Sequence, residues 1–380
     1  MATHTPDPSF TIGIEEEYLL VDRATRELVR EPPASMLSEC ERRLEAQVSP
    51  EFLRSQIEVQ TRVCRTVAEA RADLARLRST VAEVAGAHGL APIAAATHPF
   101  AEWGGQKPTD RERYQMLERD LQGVGRRLII CGLHVHIGIE DDEMRIDLMN
   151  QAGYFLPHLL ALSTSSPFWR GEDSGLKSYR IAVFNELPRT GLPDYFESYG
   201  EYQRQLKRLI AAGLIEDGTK LWWDIRPSVR FQTLEMRIPD IPTRLDDSIS
   251  IAALYQCILG MLWRLRRSNQ RWRIYPHMLV NENRWRAQRY GFDQGLVDFG
   301  KGEVVPYARL LDELIELVAP EAARFDCTAE IIRARDILVR GTSAHRQLAV
   351  YQAAITDGAS KHEALNRVVD WLIEETVKDL

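Results

Sequence analysis

The chain has 380 residues, 44% of them hydrophobic and 27% charged, with a formal net charge of −7 and a pI near 5.8. This is the composition of an ordinary soluble globular protein near the size at which one hydrophobic core stops growing, and it offers no basic field to attract nucleic acid. The five cysteines are scattered without a C-x-x-C pair, which excludes a zinc knuckle or a thioredoxin-like motif. The first ten residues lack the apolar stretch of a signal peptide. No apolar run reaches the ~18 residues that a spanning helix needs. A reduced cytoplasmic protein with neither nucleic-acid nor membrane partners is the expectation. The basic run Arg264–Arg267 reads as a solvated helix face, because acidic stretches balance it.

In chain order, residues 10–21 read as a strand with Ile12, Ile14, Tyr18 and Leu20 on one face and Glu15, Glu17 and Leu19 on the other. A second extended segment runs over 55–61. Residues 66–87 carry apolar positions at three- and four-residue spacing and read as a helix ending near Gly89. A buried strand over 90–95 leads into a Gly/Pro-rich loop at 99–108. Another strand is expected over 128–139, with His134 and His136 on one face, then a helix over 142–163. The polar, turn-rich stretch 165–193 reads as a long surface loop. A helix near 195–212 and strands over 221–225 and 229–238 follow. The rest is almost all helix-patterned (246–268, 306–318, 328–339, 343–356 and 361–378). Strands and helices do not alternate regularly, so the fold class is α+β. The expectation is one catalytic domain spanning 1–380, its C-terminal third (about 246–380) forming a helical cap over one face of the sheet.

Four segments could carry chemistry. Glu15 and Glu17 stand at i and i+2, about 7 Å apart on one strand face. Two like charges there repel unless a cation lies between them, and Mg²⁺ or Mn²⁺ prefers carboxylate oxygens. An exposed acidic edge strand is the plain alternative, but Ile12, Ile14, Leu19 and Leu20 around the run mark a core strand. The second segment is Cys131-Gly132-Leu133-His134-Val135-His136-Ile137-Gly138. Its H-x-H could be a zinc pair, a hydrogen-bonded structural pair, or one ligand beside one substrate contact. Third, Trp222 to Pro227 followed by Leu234 to Asp240 places Glu235 and Arg237 on one strand face. That pair is either an ion pair or a carboxylate ligand beside a fork suited to phosphate or carboxylate. Fourth, the loop from Ser165 to Arg180 offers hydroxyls and arginines. There is no P-loop, no G-x-G-x-x-G, no G-x-S-x-G elbow and no H-E-x-x-H. Any ATP must therefore be held by metals and arginines on a sheet.

Taken together, the succession G-I-E-E-E-Y, Q-I-E-V-Q-T, C-G-L-H-V-H-I-G, S-S-P-F-W-R-G and L-E-M-R-I-P-D resembles the YbdK-like carboxylate–amine ligases, also called glutamate–cysteine ligase type 2. The resemblance runs in order from about Phe10 to beyond Trp371. It implies a glutamine synthetase-like core, a curved antiparallel sheet forming a funnel with helices outside. It also implies that ATP phosphorylates a substrate carboxylate, usually the γ-carboxylate of glutamate, and that an amine, in the parent activity that of cysteine, then displaces the phosphate. By the same resemblance Glu15, Glu17, Glu58, His134 and Glu235 are metal ligands for Mg²⁺ or Mn²⁺. Arg237 faces the transferred phosphate or the substrate carboxylate, with Arg180 as a further catalytic group, and Arg226 and Trp223 contact substrate or phosphate. His136 stands where related ligases often carry Asn, and is grouped with the nucleotide contacts. A homodimer is implied by the family. The competing readings are a guanidino phosphotransferase of the same superfamily, a non-catalytic nucleotide- or metal-binding regulator, and, on the H-x-H alone, a metallohydrolase.

Overall fold

In the computed structural model, which describes residues 7–110, 112–378 and 380, the strand Ile12–Asp22 (β1) is the centre of a seven-stranded sheet. Its other strands are Val48–Pro50 (β2), Gln56–Gln60 (β3), Leu90–Ile93 (β4), Leu133–Gly138 (β5), Ile225–Pro227 (β6) and Thr233–Met236 (β7). The order is β6-β7-β5-β1-β3-β2, and every pairing is antiparallel. Leu19 pairs with Gln56 of β3 on one side and Ile93 of β4 on the other, so β4 prolongs the β5 edge of β1. The expected antiparallel α+β sheet is therefore present, and the period-two alternation of β1 gives it two chemically different faces.

The back face carries Ile12, Ile14, Tyr18 and Leu20, all fully buried. It packs on the helix Val67–Ala87 (α1), capped by Thr66 accepting from the Glu69 amide, and α1 packs in turn on the long helix Leu245–Arg267 (α2). Glu16 shares this face with no exposed area. It is satisfied by Arg78 of α1 at 2.6 and 2.7 Å, by Ser248 of α2 at 2.6 Å and by the Tyr18 hydroxyl at 2.6 Å. A buried carboxylate is tolerated only with such full pairing. By length and composition α2 could cross a membrane, a run the sequence analysis missed, but 89% of its apolar window is buried, as in a core helix. Tyr307–Arg324 and Thr328–Arg340 pack over α2, and Lys361–Thr376 covers β4, so the helical C-terminal third lies behind the sheet as expected.

Several expectations need correction. The strand expected over 128–139 begins only at Leu133, because the stretch before it is held by single bridges at Ile130 and Gly132. The helix expected over 142–163 breaks into Asp142–Ala152 and Leu156–Ser163 around a 3-10 turn at Gly153–Phe155, where Pro157 starts the second piece. The expected strand over 229–238 is a hairpin tip followed by β7. The stretch 165–193, expected at the surface, is exposed over much of 170–175 but buried at 165–168 and again at Ser178 and Arg180. Ser165, Ser166, Phe168, Ser178 and Arg180 are all buried. Its hydroxyls look solvent-seeking in sequence but are bonded inside: Asp240 accepts the Ser165 amide at 2.9 Å, Ser166 Oγ at 2.7 Å and Ser178 Oγ at 2.7 Å. Besides the shorter helices Glu112–Leu121, Gly123–Arg126 and Tyr179–Phe184, two helices of more than ten residues were missed, Ala34–Leu44 and His277–Tyr290. The second shows no apolar period because its inward face includes Asn283, Arg284 and Gln288, with Arg284 paired to buried Asp224 at 2.6 Å.

Candidate active site

The register of the front face builds the site. Antiparallel pairing sets Ser49 opposite Glu58, Glu58 opposite Glu17, Glu15 opposite His134, and His136 opposite Glu235, itself opposite Arg226. Directly opposed side chains lie within contact range, so the polar groups form one band across six strands. The band floors a cavity of about 550 Å³ lined by Glu15, Glu17, Glu58, His134, His136, Arg180, Arg226, Glu235 and Arg237. Of the residues singled out in the sequence only Trp223 stays outside this lining. It packs on Phe196 and Tyr202, and its neighbour Trp222 lines the cavity instead.

Two donor groups stand at opposite ends of the band. Glu15, His136 and Glu235 form one, and Glu17, Glu51 and Glu58 the other, with ligand atoms inside each group within 4.8 Å of one another. Glu51 was not singled out in the sequence. The signal for it was its place just after Ser49-Pro50, in the link between two strands that flank a carboxylate row. The resemblance names His134 as the ligand, whereas geometry puts His136 in the first group. His134 stands between the groups, its Nδ1 3.3 Å from Glu15 and its Nε2 4.0 Å from Glu17.

The two groups differ in electrostatics. Burial alone would raise Glu235, but Arg237 and Arg226 hold it far below the carboxylate range; Arg226 is bidentate at 2.8 and 3.1 Å, and Arg237 bonds the same carboxylate. Burial would likewise raise Glu15, yet hydrogen bonds and charge from His134 and His136 keep it well below its usual value. Burial depresses His136, and Glu15 and Glu235 outweigh that and raise it. His134, by contrast, is brought down to about 4 by burial and by the Arg237 charge, so it is neutral at pH 7. In the second group burial, then the Glu51 charge, lifts Glu17 to about 8. Burial with Glu51, Glu15 and Glu17 lifts Glu58 well above the carboxylate range. Like charges crowded in a low dielectric do this unless a cation joins them.

Oxygen-rich donors with an imidazole suit a hard divalent cation. The residues fit such an ion on a separate count: His134 Nε2 is buried with no hydrogen-bond partner among the described residues, 4.0 Å from Glu17, while His136 Nε2 faces Glu15 at 3.3 Å. A buried unpaired imidazole nitrogen is costly, and a metal ion is a ready partner for it.

Arg180 is held in place by donating to the carbonyls of Ile238 and Arg237, both at 3.1 Å. Gly132 is required beside it, since a Cβ there would lie 2.4 Å from the guanidinium.

Comparison with known proteins follows the same outline. The model of glutamate–cysteine ligase family 2 matches residues 11–370. A Rhodospirillum rubrum protein provisionally named glutamate–cysteine ligase 2 is 62% identical over 98% of this chain and 97% of its own length. A Jannaschia protein with the same provisional name is 54% identical over the whole of both chains. Among solved structures, a glutamate–cysteine ligase from Francisella tularensis in complex with AMP superposes with a TM-score of 0.69 at 12% identity, over 97% of this chain and 89% of that one. A bifunctional glutathione synthetase from Pasteurella multocida gives 0.69 at 14% identity, over 97% of this chain and 53% of that one. At such identities these two structures speak for the fold, which they share.

Proposed function

The chain belongs to glutamate–cysteine ligase family 2, and from that premise we propose that it is an ATP-dependent carboxylate–amine ligase working through an acyl phosphate, with the γ-carboxylate of glutamate joined to cysteine or another amine. The observation that carries the reading is the pair of donor groups at the two ends of one cavity floor, with guanidinium groups between and beside them. A carboxylate oxygen takes the γ-phosphoryl group and ADP leaves; the amine then attacks the acyl carbon and phosphate leaves. The family model's span over 11–370 supports treating the chain as one catalytic unit.

Each residue has a role in that sequence. Glu15, Glu235 and His136 or His134 would hold one divalent ion, and Glu17, Glu51 and Glu58 another. Such ions supply charge neutralisation and a template for the phosphates. Arg237, already fixed against Glu235, is placed to meet charge on the migrating phosphoryl group. Arg226 keeps Glu235 ionised and oriented. Among the described residues Arg180 has no carboxylate as a hydrogen-bond partner although it is 2% exposed, so it is suited to a substrate carboxylate.

ADP release with Mg²⁺ and ATP, measured against a matrix of amino acids and amines, tests the reading. Stimulation by a carboxylate–amine pair with an amide product supports it. Phosphorylation of a guanidino compound without any amide would replace it by the phosphotransferase reading.

A further inference from the structure

Between β6 and β7 the chain makes a tip, residues 228–232, that carries two large apolar side chains into the open: Val229 is 47% and Phe231 53% exposed, and both line the mouth of the active-site cavity. The tip is not a loose loop. The Ser228 amide donates to the Thr233 carbonyl at 3.0 Å, Ser228 Oγ faces the amides of Arg230 and Phe231 at 3.4 and 3.3 Å, and the Ile139 amide donates to the Gln232 carbonyl at 2.9 Å. Val229 sits against Gly218, where an added Cβ would lie 2.9 Å from its Cγ2. The chain thus spends ordered backbone on holding a phenyl ring in solvent, which costs apolar exposure and returns nothing to the core.

What surrounds the ring identifies its use. Phe231 meets the His136 ring in a T-shaped contact, with centroids 6.0 Å apart at 89°, which engages at most one face of the phenyl ring. Arg226 and Arg237 stand just inside, on Glu235, and Arg230 flanks the ring at the rim. A flat apolar platform beside a cationic group and a metal-type donor group is complementary to one kind of ligand: a flat heteroaromatic ring joined to a polyphosphate. Within the cavity's other apolar lining, Ile130, Phe184 and Leu187 are buried in a small core cluster, and the Arg180 guanidinium lies over the Phe184 ring at 5.4 Å. We propose that the 228–232 tip is the nucleobase platform of the active site, with Phe231 stacking on the purine ring and Val229 and Arg230 bordering it. This rests on the reading of the cavity as a nucleoside triphosphate site.

The test compares Mg-ATP with inorganic tripolyphosphate, which has the charge and no base, by calorimetric titration of the wild type, Phe231→Ala and Phe231→Trp. Phe231 is exposed, so unchanged thermal unfolding is expected in all three and serves as the folding control. Loss of one stacked base is expected to weaken Mg-ATP by about ten-fold to about a hundred-fold in Phe231→Ala, leaving tripolyphosphate unchanged and Phe231→Trp close to wild type. Equal weakening of both ligands would overturn the proposal, by making Phe231 a support for His136. Equal binding of ATP by wild type and Phe231→Ala would overturn it too. A wild type that binds tripolyphosphate and ATP with the same affinity would exclude any base platform. If the wild type binds neither, the triphosphate reading of the cavity falls as well, which separates the two failures.

Discussion

The two donor groups of the cavity floor contain almost the same chemistry and behave in opposite ways. Glu15, His136 and Glu235 are enclosed by Arg226 and Arg237, and both carboxylates are held ionised. Glu17, Glu51 and Glu58 crowd one another, and burial with mutual repulsion drives Glu17 and Glu58 toward the protonated form. In the first group the arginines and imidazoles outweigh burial; in the second, burial and the neighbouring carboxylates outweigh Arg180, Arg237 and the Gly132 amide. One strand sets both, since β1 supplies Glu15 to one end and Glu17 to the other while turning Glu16 back onto Arg78. Position on a pleat, rather than residue type, decides whether a glutamate is structural, held ionised by arginines or crowded by other carboxylates.

The largest effect expected from that contrast is on stability. Replacing Glu235 by Leu strands two guanidinium groups that are now paired, and should cost about 3–5 kcal/mol in the metal-free protein and abolish ligation. Replacing Glu58 by Gln fixes the uncharged form that its surroundings already favour, and should leave metal-free stability unchanged or raised. Denaturant unfolding in the presence of chelator reads both; effects of equal sign would break the comparison. Next in size is stabilisation by the ion itself. Mg²⁺ or Mn²⁺ at a hundred times its dissociation constant should add about 2.7 kcal/mol to the wild type. Glu17→Gln with Glu51→Gln should lose most of the part due to the second group.

The pH dependence is smaller and has a definite sign. Glu17 is raised to about 8 in the folded protein, so with chelator present the fold holds a proton that the unfolded chain has released. Its contribution is full below the unfolded carboxylate value and is lost as pH rises toward 8. Between pH 6.5 and 8 the metal-free wild type should therefore lose roughly 2 kcal/mol, and Glu17→Gln should not. The buried His98 and His158, both brought down to about 4 by desolvation, run the other way. They stabilise above about pH 6.5, and that contribution is lost as pH falls toward 4. A thermal-unfolding series across pH 4–8 should thus peak near pH 6, and the alkaline side should flatten on adding Mg²⁺. A profile that rises steadily to pH 8 with chelator present would contradict the raised Glu17.

Much of this arrangement was legible because it rides on strand periodicity. The alternation of β1 separates Glu16 from Glu15 and Glu17, and the motifs around Glu58, His134 and Glu235 lie on strands whose apolar positions mark the opposite face. What was not legible depended on pairs distant in sequence. Glu51 sits outside any regular strand and joins the site only because β2 and β3 fold it toward Glu17. The stretch 165–180 looks like a polar surface loop until Asp240 is seen to bind its serines. Trp223 and Trp222 are equivalent in sequence, and only the pairing of Trp222–Trp223 with Thr190–Gly191 decides which one faces the cavity.

The smallest expected effect bears on the one place where the resemblance and the geometry disagree. The resemblance assigns the metal to His134, while His136 shares a donor group with Glu15 and Glu235, its Nε2 3.3 Å from Glu15. Its Nδ1 is 2.9 Å from the Thr233 hydroxyl, a partner on the second ring nitrogen of the kind that orients a metal-binding imidazole. Imidazole favours Mn²⁺ over Mg²⁺, whereas an amide oxygen suits Mg²⁺. Replacing His136 by Asn should therefore lower the preference for Mn²⁺ over Mg²⁺ by about ten-fold, or about 1.4 kcal/mol, as read by competitive metal titration. Replacing His134 by Asn should leave that ratio unchanged if His134 only bridges Glu15 and Arg237. The reverse outcome would move the ligand to His134 and make His136 a rest for Phe231.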